Sequence, residues 1–293
     1  LRGKRVLFWT HGWQKREPGL KGKFRNAFYR LAHGLLLYGH NAKCVGLGCG
    51  FDADRMHVIY NSLDYRTQER VRNSLDPDAI ATRRREVYGE GDQPAVMAIT
   101  RLQPAKKLDL LIGAAAECEK RGHPISLLFV GDGPDRGRLE ALARERGVRA
   151  HFLGAVYEEK TIAECLAASD LCVIPGPAGL TVMHSLAYGT PFITNDDATS
   201  QMPEYEAVVQ GVNGALYRAW EVGDLASHIL SCTESAGMRG RGREKSIEII
   251  ERFFNPVTQR VLIDRAVSGH KADDLWAAWH GPLYRAADSE RDG

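Results

Sequence analysis

The sequence is poor in the signals that identify several large classes of protein. Its six cysteines include no C-x-x-C pair and no Cys/His spacing typical of zinc sites, which favours a reduced, cytosolic chain. No run reaches the about 18 apolar residues that a membrane-spanning helix needs, and 26% of the 293 residues are charged. Neither a nucleophile elbow nor H-E-x-x-H occurs, so hydrolase and zinc-enzyme interpretations lack a site. The length predicts about two globular domains.

Short apolar runs alternate with segments of helical periodicity. Nine runs are predicted as strands: 5–10, 34–38, 57–61, 95–100, 126–131, 151–153, 171–175, 191–194 and 215–217. The clearest helices are predicted at 108–121, 136–146, 158–169 and 181–188. Strands that alternate with helices of about 10–15 residues are typical of βαβ units. We therefore predict an α/β fold, with a nearly complete doubly wound domain between 95 and 217.

The chain is predicted to divide into three parts. Residues 1–62 form a partial N-terminal Rossmann-like domain, 63–254 form a complete second domain, and 255–293 form a terminal helix and an amphipathic tail. Segment 62–92 has weak periodicity and clustered charge, so we place the inter-domain linker there. An apolar cluster at helical spacing in the tail either packs on the body of the protein or contacts a partner, and comprises Leu275, Trp276, Trp279, Leu283 and Tyr284.

Positive charge is concentrated at the start of the chain. Residues 1–43 contain ten Lys and Arg residues and a single acid, Glu17, for a net charge of +9, whereas the remaining 250 residues carry −7. Apolar residues at helical spacing, Phe24, Phe28, Leu31 and Leu35, accompany these cations. Such a segment suits an anionic membrane surface or a phosphorylated acceptor, and the alternative is a solvated helix face. Nucleic acid is not predicted as a partner, because no recognised binding motif accompanies the charge.

Three loops follow predicted strands, at the edge of a parallel sheet where ligands bind. The first, T-R-L-Q-P-A-K-K-L-D at 100–109, offers cations that suit a diphosphate, or it is an ordinary charged surface loop. The second, V-G-D-G-P at 130–134, is either a tight turn or a loop that lines a ligand. The third, P-G-P-A-G-L-T at 175–181, leads into a helix whose N-terminal amides suit an anion, with His184 about one turn inside.

In their order and spacing, these three loops resemble retaining GT-B glycosyltransferases of the group 1 type. The blocks R-L-x-P-x-K-x-x-D-x-L, V-G-D-G-P and G-L-x-x-x-H-S-L-A-Y-G-T-P-F-I carry the resemblance. Flanking segments resemble the family's hinge (V-I-Y-N-S-L-D at 58–64), its later G-x-N-G turn at 211–214 and its terminal N-P-x-x-Q helix at 255–259. The resemblance covers roughly residues 10–266.

The resemblance implies a nucleotide-sugar site in a cleft between two Rossmann-like domains, with 1–62 on the acceptor side and 63–254 as the donor domain. Arg101 and Lys106 match the cations that hold the donor diphosphate and stabilise the leaving nucleoside diphosphate. His11 resembles the acceptor-domain histidine near the reacting carbon. The donor-binding set is completed by Gly131, Gly133, Gly179, Leu180, Thr181, His184 and Glu204.

The sequence departs from the family pattern at several positions. The two glutamates of the family's E-x7-E motif are replaced by Gly176 and His184, and an imidazole cannot accept the two hydroxyl hydrogen bonds that a carboxylate can. The loop before Glu204 has Ser200-Gln201 where a double glycine is common. Full members have two domains of roughly 150–200 residues each, so we expect the opening strands of the first domain to be absent.

We therefore predict a metal-independent, retaining hexosyltransferase that uses a UDP- or GDP-sugar and a glycan or lipid-linked acceptor, without a cofactor. Cell-surface polysaccharide or glycoconjugate synthesis, at the inner face of the membrane, is the expected setting. The main alternative is a catalytically degenerate nucleotide-sugar-binding fragment or subunit. A sugar-nucleotide 2-epimerase of the same fold is a weaker alternative, because the carboxylates it needs are not evident. Asp52-Ala53-Asp54 matches the metal motif D-x-D, but it precedes a strand and is interpreted as a turn.

Overall fold

The computed structural model describes residues 4–235 and 237–272. Its strands are β1 (Leu7–Thr10), β2 (Gly34–Leu37), β3 (Met56–Val58), β4 (Ala95–Ile99), β5 (Ser126–Val130), β6 (Ala150–Gly154), β7 (Leu171–Val173), β8 (Phe192–Asn195) and β9 (Gly214–Tyr217). Its helices are α1 (Gly19–Arg30), α2 (His40–Gly48), α3 (Tyr65–Asn73), α4 (Pro77–Tyr88), α5 (Leu108–Lys120), α6 (Arg136–Glu145), α7 (Glu159–Ala168), α8 (Thr181–Ala187), α9 (Val222–Glu234), α10 (Arg243–Arg252) and α11 (Pro256–Val267). Strands are therefore present at all nine predicted positions.

These elements form two compact units, of which the first comprises the described residues 4–61 and 257–272. Its sheet has three parallel strands in the order β1-β2-β3. Trp13 is buried against this sheet, and its indole nitrogen donates a 2.8 Å hydrogen bond to the Asn26 side chain. Helix α11 belongs to this unit, because Gln259 on it donates a 2.6 Å hydrogen bond to the backbone carbonyl of Tyr60.

The second unit, Ser62–Pro256, is built on a six-stranded parallel sheet in the order β6-β5-β4-β7-β8-β9. The strand order reverses between β4 and β7, which makes this point the topological switch where α/β sheets bind ligands. Every residue of β5 is buried, as expected of a strand covered on both faces. The predicted α/β fold class is confirmed.

The prediction of a linker at 62–92 is wrong. Helices α3 and α4 occupy this segment, and both belong to the second unit. Polar contacts attach them: Arg72 on α3 pairs with Glu251 at 3.0 Å, and Arg83 on α4 pairs with Glu164 at 3.0 Å. The buried residue of α3 is the polar Gln68, and the buried residues of α4, Val87 and Tyr88, lie only in its last turn, so the apolar periodicity of the segment is weak.

Among the described helices, none is both long enough and apolar enough to cross a bilayer. The apolar cluster predicted in the tail lies outside the described residues.

Candidate functional site

A cavity of about 670 Å³ opens at the carboxyl edge of the second unit's sheet. It lies beside the topological switch, at the ends of β4, β5 and β6, and its volume falls in the range of small-molecule sites. Its lining residues are Ile99, Thr100, Arg101, Val130, Gly131, Asp132, Gly133, Pro134, Ala155, Val156 and Tyr157. The cavity therefore brings together Arg101, Gly131 and Gly133 of the predicted site.

The V-G-D-G-P loop needs its glycines because it packs directly on the backbone that follows β4. A Cβ atom on Gly131 would collide with the Thr100 carbonyl oxygen, and one on Gly133 would collide with that of Leu102. Both glycines also have positive φ angles, 138° and 157°. The Leu102 amide donates a 3.0 Å hydrogen bond to the Asp132 carbonyl. The two glycines therefore fix the shape of the cavity wall next to Arg101.

The two predicted diphosphate ligands differ in their surroundings. Arg101 is exposed and lines the cavity. Lys106 is half-buried, and its ammonium donates a 2.6 Å hydrogen bond to the carbonyl of Pro177 in the loop after β7. Burial of this ammonium lowers the pKa of Lys106 from its ordinary value. Of these two predicted ligands, Arg101 is therefore exposed, and Lys106 is oriented by the neighbouring loop.

Gly176 occupies a position where any side chain would meet backbone. A Cβ atom there would lie 2.9 Å from the carbonyl carbon of Lys106 and would collide with the Ala105 carbonyl oxygen. The Gly176 amide donates a 3.0 Å hydrogen bond to the Lys106 carbonyl. At the position predicted to replace the family's first glutamate, this loop therefore packs backbone to backbone against Lys106.

The N-terminus of α8 contains three of the predicted donor-binding residues. Gly179 has a φ of 60°, a left-handed conformation that favours glycine, and Leu180 is exposed. The hydroxyl of Thr181 donates a 3.2 Å hydrogen bond to the Ile99 carbonyl at the end of β4. This contact holds the start of the helix next to the end of β4, two residues before Arg101.

His184, the fourth predicted residue on α8, is bound to a carboxylate. Its Nε2 atom donates a 2.9 Å hydrogen bond to Oε1 of Glu159 on α7, and the Tyr188 hydroxyl donates to the same oxygen at 2.6 Å. The hydrogen bond from His184, with a smaller contribution from Tyr188, lowers the pKa of Glu159, although burial opposes the shift. The His184 imidazole, predicted to replace the family's second glutamate, is thus hydrogen-bonded within the protein.

Two predicted residues lie outside this group. Glu204 is buried in the short 3₁₀ turn Pro203–Ala207, between β8 and β9. His11 belongs to the first unit, where it follows β1, is exposed, and has its ring 4.9 Å from that of Tyr38. The roles predicted for both residues stay predictions.

That the loop after β6 lines the cavity was not predicted from the sequence. Ala155, Val156 and Tyr157 line the cavity, and the Tyr157 side chain is 91% exposed at its rim. The rule that ligands bind where parallel strands end would have included this loop, since β6 neighbours β5. Glu159, the partner of His184, was also missed, and no local motif marks it.

The D-x-D motif at Asp52 and Asp54 forms a turn, as predicted. The Asp52 side chain accepts a 3.0 Å hydrogen bond from the Asp54 amide at the start of a 3₁₀ turn, and Asp54 pairs with Lys271 at 2.5 Å. Across residues 4–235 and 237–272, no cluster of three or more His, Cys, Asp or Glu side chains could hold a metal ion.

Comparison with known proteins identifies the family. The profile described as "Glycosyl transferases group 1" matches residues 81–248, more than half of the chain. The chain therefore belongs to the glycosyl transferases group 1 family, as its motifs predict.

Curated relatives include a GDP-mannose-dependent alpha-(1-6)-phosphatidylinositol monomannoside mannosyltransferase of Mycolicibacterium smegmatis. It is 45% identical over 167 residues, which cover 53% of this chain and 42% of the relative. The lipopolysaccharide core biosynthesis glycosyltransferase LpsE of Rhizobium meliloti is 25% identical over 85% of this chain and 71% of its own length. An alpha-D-kanosaminyltransferase of Streptomyces kanamyceticus is matched over 46% of its length, so the chain spans less than half of some of these relatives.

Solved structures of similar fold include HepE of Anabaena in complex with UDP. It superposes with a TM-score of 0.73 over 90% of this chain and 72% of HepE, at 23% sequence identity. WaaG, a glycosyltransferase of lipopolysaccharide biosynthesis, superposes with a TM-score of 0.64 at 16% identity. These likenesses show the fold, which is GT-B.

Proposed function

We propose that the chain forms part of a glycosyltransferase that moves a hexose from a UDP- or GDP-sugar to a glycan or lipid-linked acceptor. The observation that carries this proposal is a pair of cations on one loop: Arg101 lines the cavity, and the Lys106 ammonium is held by the Pro177 carbonyl. Cations at a sheet edge, beside a helix N-terminus, suit the diphosphate of a nucleotide-sugar. As that diphosphate departs, they stabilise the charge that develops on it.

The relatives support a choice of donors to test first. The M. smegmatis relative is named as GDP-mannose-dependent, and HepE is described in complexes with UDP and with UDP-glucose. We propose that transfer retains the anomeric configuration and requires no metal, and that it serves the synthesis of cell-surface polysaccharide or glycoconjugate. Under this proposal, Arg101 and Lys106 bind the donor diphosphate, and His11 lies near the reacting carbon of the sugar.

A donor panel tests the proposal. The 293-residue chain is mixed with UDP- and GDP-sugars and with acceptor glycans and glycolipids, with and without EDTA. Nucleotide binding is measured by calorimetry, and nucleotide release is measured enzymatically. We expect binding of at least one donor, release of its nucleoside diphosphate, and no loss of activity in EDTA. NMR of the product then gives the anomeric configuration. A chain that binds no nucleotide refutes the proposal.

The second candidate function is nucleotide-sugar binding without transfer. Gly176 and His184 favour it, because neither offers the carboxylate that the family places at those positions. Binding of a nucleotide-sugar with no release of nucleotide, in the presence of acceptor glycolipids and glycans, would support this candidate over transfer.

We also propose that the first unit contacts an anionic membrane surface at the cytoplasmic face. Helix α1 exposes Leu20 (84%) and Phe24 (78%), and Leu31 just after it is 67% exposed. The preceding loop and the helix also present four exposed cations: Lys15, Arg16, Lys21 and Lys23. Apolar side chains interleaved with cations suit the interface of a bilayer with anionic headgroups.

Vesicle sedimentation tests the membrane proposal. Replacing all four cations with Gln should weaken binding to phosphatidylserine vesicles by up to about 4 kcal/mol, at about 1 kcal/mol per cation, with a strong dependence on salt. The matched control replaces four exposed cations of the second unit: Lys120, Arg144, Arg146 and Lys160. Equal losses in the two variants, or no binding by the parent chain, would contradict the proposal.

A further inference from the structure

Most hydrogen bonds to the loop at 175–179, between β7 and α8, come from side chains. Two prolines and two glycines leave it few backbone hydrogen bonds of its own. Its carbonyl groups instead accept from neighbouring side chains. The Pro175 carbonyl accepts from Asn195 at 2.7 Å and from Tyr217 at 3.0 Å. The Thr194 hydroxyl lies 2.8 Å from the Ile174 carbonyl oxygen and 3.2 Å from that of Gly176. The position of the loop therefore depends on residues distant in sequence.

Gln201 makes the central contacts of this network. Its Oε1 accepts a 3.1 Å hydrogen bond from the Ala178 amide, and its Nε2 donates to the Thr194 hydroxyl at 2.7 Å. Nε2 also lies 3.4 Å from the Gly176 carbonyl oxygen. Gln201 is 2% exposed, so both ends of its amide depend on protein partners. A single side chain thus connects the loop to β8.

The loop in turn orients Lys106. The Pro177 carbonyl accepts the 2.6 Å hydrogen bond from the Lys106 ammonium, and Pro177 lies directly between Gly176 and Ala178, the two residues that Gln201 contacts. The Gly176 amide also donates to the Lys106 carbonyl. A shift of the loop would therefore move both the charge and the backbone of Lys106.

We propose that Gln201 is a positioning residue for the donor diphosphate: it holds the 175–179 loop so that the Pro177 carbonyl fixes the position of the Lys106 ammonium. The inference rests on the proposed function, because it takes Lys106 as a diphosphate ligand. It assigns to Gln201 an effect on ligand binding that is transmitted through Lys106, in addition to any effect on stability.

A double-mutant cycle on the full chain tests this assignment. Gln201→Met keeps the length of the side chain but removes its donors and acceptor, and Lys106→Met removes the ammonium. We expect Gln201→Met to weaken UDP and GDP binding about tenfold, and by less than about twofold in the Lys106→Met background, because the two residues act through one network. Thr194→Val, which removes only the hydroxyl that Gln201 contacts, should weaken binding about threefold. This milder variant carries the test if Gln201→Met does not fold.

Thr233→Val is the matched control. The Thr233 hydroxyl is buried and donates a 2.9 Å hydrogen bond to the Ile229 carbonyl, but it makes its contacts within α9. Nucleotide affinity should be unchanged in this variant, whatever its melting temperature. Three results would overturn the proposal. The first is an equal loss of nucleotide affinity in Thr233→Val and Thr194→Val, and the second is an equal effect of Gln201→Met in the parent and in the Lys106→Met background. The third is an unchanged affinity in both Gln201→Met and Thr194→Val.

Hydrogen exchange separates failure of this inference from failure of the proposed function. The Ala178 amide should exchange faster in Gln201→Met and in Thr194→Val than in the parent and in Thr233→Val, with or without nucleotide. If the parent chain binds neither UDP nor GDP, the proposed function fails, and the diphosphate role of Gln201 fails with it. If the parent binds nucleotide but Ala178 exchange is unchanged in both loop variants, the positioning role of Gln201 alone is overturned.

Discussion

Substitution of Gly176 by alanine tests how tightly the loop after β7 packs against Lys106. The added Cβ would lie 2.9 Å from the Lys106 carbonyl carbon and 3.0 Å from its Cα, and it would collide with the Ala105 carbonyl oxygen. All three atoms are backbone, so no rotation of a side chain relieves the contact. The two loops must separate, which also weakens the 3.0 Å hydrogen bond from the Gly176 amide to the Lys106 carbonyl.

The expected cost follows from this geometry. Forcing one methyl group into a packed region costs about 1–3 kcal/mol. In a unit of this size, 1 kcal/mol lowers the melting temperature by about 2–4 °C, so Gly176→Ala should melt about 2–12 °C below the parent. Because separation of the loops displaces Lys106, affinity for UDP and GDP should fall as well. Gly176→Glu, which places the family's glutamate at this position, should be worse in both respects.

Thermal melting followed by circular dichroism, together with calorimetric titration of UDP and GDP, measures both effects. Gly137→Ala is the control, since Gly137 lies in α6 at a position where an added methyl group would face open space. In that helix, alanine should leave stability unchanged or raise it by up to about 1 kcal/mol. A Gly176→Ala chain with the parent's melting temperature and nucleotide affinity would refute the close packing of the two backbones.

Three further perturbations address other parts of the site. Arg101→Ala should weaken UDP and GDP binding by about 2–3 kcal/mol, measured by calorimetry, whereas the exposed Arg146→Ala should not; equal affinities in all three chains would remove Arg101 from the site. Glu159→Gln should lower the free energy of unfolding above about pH 4.5, the ordinary pKa of Glu. Because the folded-state pKa of Glu159 is lowered, this stabilisation is lost as pH falls through the folded value. Urea denaturation from pH 7 to 3 should therefore show the free energies of unfolding of the two chains converging. A difference in free energy that is constant with pH would contradict the His184 hydrogen bond. His11→Ala should lower kcat about 10–100-fold in the donor assay while leaving the affinity for nucleoside diphosphate unchanged, and a loss of affinity alone would contradict its predicted contact with the sugar.

Buried parallel strands made much of the fold predictable. All of β5 is buried, and such strands read in sequence as continuous apolar runs between turn residues. Helix α3 shows where this logic fails. Its buried residue is Gln68, and Tyr65 and Arg72 attach it to Glu251 through hydrogen bonds of 2.7 Å and 3.0 Å. Since polar contacts hold the helix, the periodicity of apolar residues carries no signal of it.

The residues of the candidate site also divide into those that the sequence predicts and those that it does not. Arg101 and the V-G-D-G-P glycines were predictable, because strand ends and glycine-rich turns are local features of the sequence. The partner of His184 is Glu159, 25 positions away, and the partner of the Ala178 amide is Gln201, 23 positions away. Local patterns do not encode such pairings, since each depends on how α7 and β8 are placed by the sheet.

Contacts with residues distant in sequence involve both positions at which the chain is predicted to depart from the family motif, Gly176 and His184. Gly176 is engaged by the Lys106 backbone, and His184 is engaged by Glu159, so both positions are used in this chain. Restoring one glutamate at either position would therefore break an existing contact. Under the proposed function, the loop after β4 offers the donor diphosphate two cations, Arg101 and Lys106. A site built from these two groups would recognise the diphosphate mainly through charge. Its affinity for nucleoside diphosphates should therefore fall steeply as ionic strength rises, since its most exposed cation is open to screening by salt.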